Sequence, residues 1–144
     1  MNIASRLLCG CVLAELLCVP AAAQSDNLVG SWGATFNPGT PARLFVMLQF
    51  AANGQLHERI ENPQGQTFDV FGTYRFDPGS GTLAYTLTDY TPKQICSVIG
   101  QCQPAPTPPV TFNAPLTAQI TFQASTALIF RSPDGTSFIA VRTG

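Results

Sequence analysis

Charge is scarce in this sequence. Only 10 % of the 144 residues are Asp, Glu, Lys or Arg, and seven basic residues stand against eight acidic ones for a formal net charge of −1. Such a thin, balanced distribution gives no basic footprint for nucleic acid or for an anionic lipid surface, so neither is expected as a partner. Histidine occurs once, as His57. One imidazole cannot complete a zinc shell with a pair of thiolates, and no cluster of ligating side chains surrounds it in the sequence, so no metal is expected. Phosphate-cradling glycine loops and dinucleotide fingerprints are missing as well, and with them any expectation of a cofactor. Apolar residues, by contrast, make up 45 % of the chain, far too much to leave in water, so the sequence predicts a folded domain rather than a disordered one.

The N-terminal segment reads as an export signal. Arg6 is the only charge before an apolar run over residues 7–19, and Pro20, Ala21, Ala22 and Ala23 then present the small residues that signal peptidase reads. Cleavage is predicted between Ala23 and Gln24, leaving residues 24–144 as one domain. The run carries Glu15 in its middle and falls short of the roughly 20 apolar residues that a spanning helix needs, and no later stretch reaches that length, so no membrane span is expected after cleavage. Cys9, Cys11 and Cys18 leave with the signal. Cys96 and Cys102 remain as an even pair in an oxidising compartment, periplasmic or extracellular, and their spacing predicts a disulfide that staples a short loop.

Turn signals recur at short intervals from Asn37-Pro38-Gly39 through Asn53-Gly54, Asn62-Pro63-Gln64-Gly65 and Asp77-Pro78-Gly79 to Ser132-Pro133-Asp134-Gly135. Between them lie eight runs rich in Phe, Val, Thr, Tyr and Ile, at residues 28–36, 44–50, 55–61, 67–76, 82–90, 116–122, 127–131 and 136–142. Most connections are too short for a crossover helix, so the sequence predicts an all-β fold, an antiparallel up-and-down meander of eight strands. Alternation marks the faces: Leu116, Ala118, Ile120 and Phe122 interleave with Thr117, Gln119 and Thr121. Gly72 interrupts the row formed by Phe68, Val70, Tyr74 and Phe76, which suits a bulge or a close approach. The second run carries apolar residues on both faces, with Phe45 and Met47 opposite Val46 and Leu48, as if the long loop or a second copy covered its outer side. Residues 91–115 hold six prolines and both remaining cysteines, a composition that resists helix and interior strand, and read either as a functional loop or as a tethered excursion.

Gly30-Ser31-Trp32 opens the first run. Leu48-Gln49-Phe50 with Asn53-Gly54, then Gly72-Thr73-Tyr74-Arg75-Phe76, Gly81-Thr82-Leu83 and Thr88-Asp89-Tyr90 follow in order. This pattern resembles the small bacterial lipocalin-like domains over most of residues 24–144; G-x-W also marks avidin-like barrels and the periplasmic inhibitors of secreted metalloproteases. The resemblance implies a closed eight-stranded β-barrel in which Gly30 allows close backbone approach, Trp32 plugs the floor, and Arg142, or failing that Arg131, stacks on the tryptophan.

No catalytic residue is assigned. His57 falls in an outward row with Arg59 and Glu61, no nucleophile has a base beside it in the pattern, and Glu58, Glu61, Asp69 and Asp89 show no spacing that pairs two carboxylates. Glu58 shares a face with Leu56 and Ile60 and reads as a rim carboxylate. The sequence therefore predicts a non-enzymatic binding protein. An eight-stranded barrel either fills its interior or leaves room for one small apolar ligand, and here the interior reads as largely filled. The candidate ligand wall is Phe68, Val70, Tyr74, Phe76, Tyr85, Leu87, Ile120 and Phe122. The alternative is a protein-binding module of the cell envelope, inhibitor-like or an assembly factor, acting through the loop at 91–115 or the polar tail at 24–27.

Overall fold

The computed structural model describes residues 27–144; the expected export segment and its cleavage site lie outside the described residues. Among the described residues ten strands follow one another: β1 (Gly30–Phe36), β2 (Leu44–Phe50), β3 (Gln55–Glu61), β4 (Thr67–Asp77), β5 (Thr82–Thr91), β6 (Gln94–Cys96), β7 (Cys102–Pro104), β8 (Leu116–Ala124), β9 (Ala127–Arg131) and β10 (Ser137–Arg142). Eight of them close a barrel in the order β1-β10-β9-β8-β5-β4-β3-β2, every neighbour antiparallel. The predicted meander is the observed fold, and its strand limits shift by only one or two residues. β1 starts at Gly30 rather than at 28 because Leu28 turns under the barrel, 2 % exposed, while its carbonyl accepts a hydrogen bond from the Trp32 indole.

Period-two alternation puts one side of every barrel strand inside. The register carries a row of inward residues around the wall, Trp32 beside Leu48, Leu48 beside Glu58, Glu58 beside Val70 and Val70 beside Tyr90. Trp32, Phe50, Leu83, Leu87, Leu128 and Val70 are the largest fully buried side chains, each contributing about 1.5–3 kcal/mol by leaving water. Hairpin turns need left-handed backbone, and Gly54 (φ 83°) and Gly65 (φ 75°) supply it between β2 and β3 and between β3 and β4.

Two irregularities have local causes. Between β4 and β5 the register shifts at Phe71/Gly72, so that Thr88 is an extra residue and both Leu87 and Tyr90 face inward although three positions apart. Gly72 permits this because a Cβ there would press on the Thr86 carbonyl oxygen. On β2, the outward Phe45 ring lies over Gly33, where a Cβ would stand 3.4 Å from its Cζ. The apolar outer face of β2 is thus covered in part by its own neighbour strand, through a glycine.

The segment between β5 and β8 divides in two. Its first part is a small hairpin of β6 and β7, outside the barrel sheet and joined by the Cys96–Cys102 disulfide. Its second part turns back over the barrel: Phe112 bridges Leu87 and packs on Tyr90 at 5.2 Å, and the Asn113 amide donates to the Leu87 carbonyl at 2.8 Å.

Candidate functional site

One end of the barrel is sealed. Gly30, at φ 136°, leaves the space into which the Arg142 guanidinium fits; a side chain there would collide with Nη1. Arg142 lies over the Trp32 ring at 4.2 Å and donates hydrogen bonds to the carbonyls of Val29 (3.0 Å), Asn27 (2.9 Å) and Ser125 (3.2 Å). The cation therefore ties the chain entering β1 to the chain leaving β8 across the foot of β10. Phe122 packs on Trp32 at 6.0 Å and on Phe76 at 6.1 Å, while Tyr74 packs edge-on to Phe50 and donates its hydroxyl proton to the Ala51 carbonyl. This half of the interior is full.

The other half holds a cavity of about 530 Å³. Its walls are Leu48, Phe50, Leu56, Leu83, Leu87 and Phe130, and its mouth is framed by Pro109, Val110, Thr111, Pro115, Leu116, Ser132, Pro133, Asp134 and Phe138. Aromatic rings brace one side of the mouth, with Phe36 against Phe138 and Phe138 stacked on Phe130, each at 4.8 Å. A volume of this size lies within the roughly 300–1,000 Å³ typical of small-molecule sites. The floor takes the bulky aromatics, and the wall above it, around the cavity, is built mainly of leucines.

Among the described residues three ionisable groups line this space, Glu58, Tyr85 and Asp134. Glu58 sits at the centre of β3, flanked on the inner face by Leu48 and Val70. It is half-buried by exposure because the surface it keeps is cavity surface, while the barrel wall surrounds it otherwise. Burial pushes its carboxyl from 4.5 up to about 7, with no hydrogen bond or opposite charge among the described residues to offset the cost. Burial, then the charges of Glu58 and Asp134, raise the Tyr85 hydroxyl above its ordinary value. Hydrogen bonds from Thr136 hold the Asp134 carboxyl below the usual range.

Of the eight residues expected to form the ligand wall, Tyr85 and Leu87 line the cavity. Tyr74, Phe76 and Phe122 belong to the floor packing, and Phe68, Val70 and Ile120 are core residues 7 %, 0 % and 5 % exposed outside the cavity lining. Alternation reports which face a side chain takes but not its height along the barrel axis, so floor and wall read alike in sequence. Glu58 is not at the rim; its position midway along β3 places it inside. The signal for that was present, since Glu58 shares a face with Leu56 and Ile60, both buried.

On the outer face, His57 Nε2 lies 2.7 Å from Asp69 Oδ1, and Arg59 donates to the same oxygen at 2.9 Å. The Arg59 hydrogen bond, chiefly, holds the Asp69 carboxyl below the usual range. The imidazole stacks on Phe71 with centroids 5.0 Å apart. The barrel wall separates this cluster from Glu58, and of the four carboxylates singled out in the sequence Glu58 alone lines the cavity.

A closed, eight-stranded antiparallel barrel with one sealed end and one open end is consistent with a calycin-like fold, and such a barrel is compatible with a binding protein. No protein-family model matches this chain, and no curated protein matches it.

Proposed function

We propose that this chain is an exported, non-enzymatic, lipocalin-like protein that holds one small hydrophobic ligand in the mouth half of its barrel. The observation that carries the reading is the cavity of about 530 Å³ above a floor sealed by Trp32 and Arg142. A barrel evolved only for stability gains by filling such a space, because each missing contact forfeits dispersion energy. Phe50, Leu83, Leu87 and Phe130 give an apolar ligand a wall, and Pro109 and Pro115 stiffen the mouth. The export signal and the disulfide support a periplasmic or extracellular site of action.

Native mass spectrometry of the protein isolated gently from its own source tests this reading, together with calorimetric titration of a neutral hydrophobe such as octanol. A ligand-sized adduct, or octanol binding that Leu116→Trp abolishes by filling the mouth without lowering Tm, is expected. A bare mass together with no octanol binding overturns it.

A second reading has its own observation. Val98 and Ile99, at the tip of the disulfide-tied hairpin, are 105 % and 76 % exposed. Two apolar side chains held out on a tied turn suit insertion into another envelope protein, since a constrained loop loses little entropy on binding. Val98→Ser with Ile99→Ser then removes the partner from a pull-down and leaves octanol binding intact; unchanged partner recovery sinks this reading.

A further inference from the structure

We propose that the cavity selects apolar amines, with the ligand's ammonium group against the Glu58 carboxylate and its hydrocarbon against the leucine and phenylalanine wall. The inference rests on the proposed ligand-holding function and names the ligand class of that same site. Glu58 projects from the middle of an otherwise apolar inner face, with Leu48 beside it on β2 and Val70 beside it on β4. Among the described residues no lysine, arginine or histidine lines the cavity, and its second charged residue, Asp134 at the mouth, carries the same sign. A carboxylate ligand would meet two like charges and no cation. A neutral hydrocarbon would leave Glu58 facing it unpaired, a state that costs free energy in a dry interior. An ammonium offsets that cost through a charge-assisted hydrogen bond while its chain uses the same wall, so one buried carboxylate discriminates among hydrophobes of equal size.

The state of the other groups fits this chemistry. Burial sets the Glu58 carboxyl at about 7, so near neutral pH an arriving ammonium holds it ionised and releases a proton. Asp134, held below the usual carboxylate range, keeps the mouth negative and favours entry of cations. Tyr85, raised above its ordinary value, stays a neutral phenol that can accept a hydrogen bond from the ligand nitrogen. The remaining inner-face neighbours of Glu58, which are Leu56 and Ile60 on its own strand and Leu48 and Val70 beside it, do not titrate.

Titration of the purified protein with octylamine, octanol and octanoate tests the inference. Octylamine is expected to bind about tenfold or more tightly than octanol, the equivalent of one charge-assisted hydrogen bond, and octanoate more weakly than either. The preference should shrink as pH falls below the Glu58 value. Glu58→Gln should bring octylamine down to the level of octanol, whose own affinity should hold or rise because no unpaired carboxylate faces it. Equal binding of amine and alcohol to the unaltered protein overturns the inference and leaves the ligand-holding function standing. Binding of none of the three overturns both. An amine preference that survives Glu58→Gln but disappears in Asp134→Asn assigns selectivity to the mouth and also overturns the role given to Glu58.

Discussion

Glu58→Gln should make the protein more stable, and only as pH rises above the ordinary carboxylate range. Folding moves this carboxyl from 4.5 to about 7, so the folded chain holds a proton between those values that the unfolded chain has already released. Stability from Glu58 is therefore fully present below its unfolded value and is lost as pH rises through the folded one. The full shift corresponds to a few kcal/mol, and the cavity, open at its mouth, lets water reach the carboxylate, which brings the expected loss to about 1–3 kcal/mol. Glutamine matches the protonated acid in shape and charge. The two proteins should consequently melt together at about pH 4, below the unfolded value, whereas the variant should melt higher by several degrees at about pH 8, given roughly 4 °C per kcal/mol for a domain of this size. Asp69, Asp77, Asp89 and Asp134, all lowered, lose their own contributions in the acid range, but they do so equally in both proteins and cancel in the difference. Circular dichroism melts across this range are the assay. A Tm difference that is the same at both ends, or a variant that melts lower at alkaline pH, would refute the placement of an uncompensated carboxylate inside the barrel.

Other substitutions test the frame that holds the site. Arg142→Ala removes three hydrogen bonds to carbonyls and the contact with Trp32, and should cost about 2–3 kcal/mol in a urea melt; Arg142→Lys should recover less than half, because an ammonium cannot reach three separated carbonyls from above the ring. Gly72→Ala should cost about 1–3 kcal/mol, since the new methyl group meets the Thr86 backbone where the bulge brings the strands together. Replacing Cys96 and Cys102 by Ser removes a constraint worth about 2 kcal/mol in the chain-entropy model. Because the hairpin lies outside the barrel sheet, that loss should show as faster proteolytic nicking within residues 93–104, with barrel Tm and octanol binding preserved.

The eight-stranded meander was legible in the sequence because its determinants are local, whereas its closure into a barrel was expected from the resemblance. Turn residues at Asn53-Gly54 and Asn62 to Gly65 set where the chain reverses, and alternation as in Leu116 to Phe122 sets which face is buried; both depend on neighbours within a few residues. The pairing of Trp32 with Arg142 rather than Arg131 was expected only from the resemblance carried by Gly30-Ser31-Trp32, and the tertiary structure decides it by laying the guanidinium over the ring in the space Gly30 leaves. The cavity was not legible. Its existence depends on the balance of side-chain volumes from all eight strands at one height, and height follows from register and shear, which no single segment encodes. That is why Tyr74, Phe76 and Phe122 turned out to pack the floor, whereas Leu48, Leu56 and Phe130 line the open half. The fate of Glu58 was decided in the same way. Its own strand shows only that it shares a face with Leu56 and Ile60; that this face closes on itself, and that among the described residues no cation reaches it from beside Leu48, Val70 or the opposite wall, is a property of the assembled barrel alone.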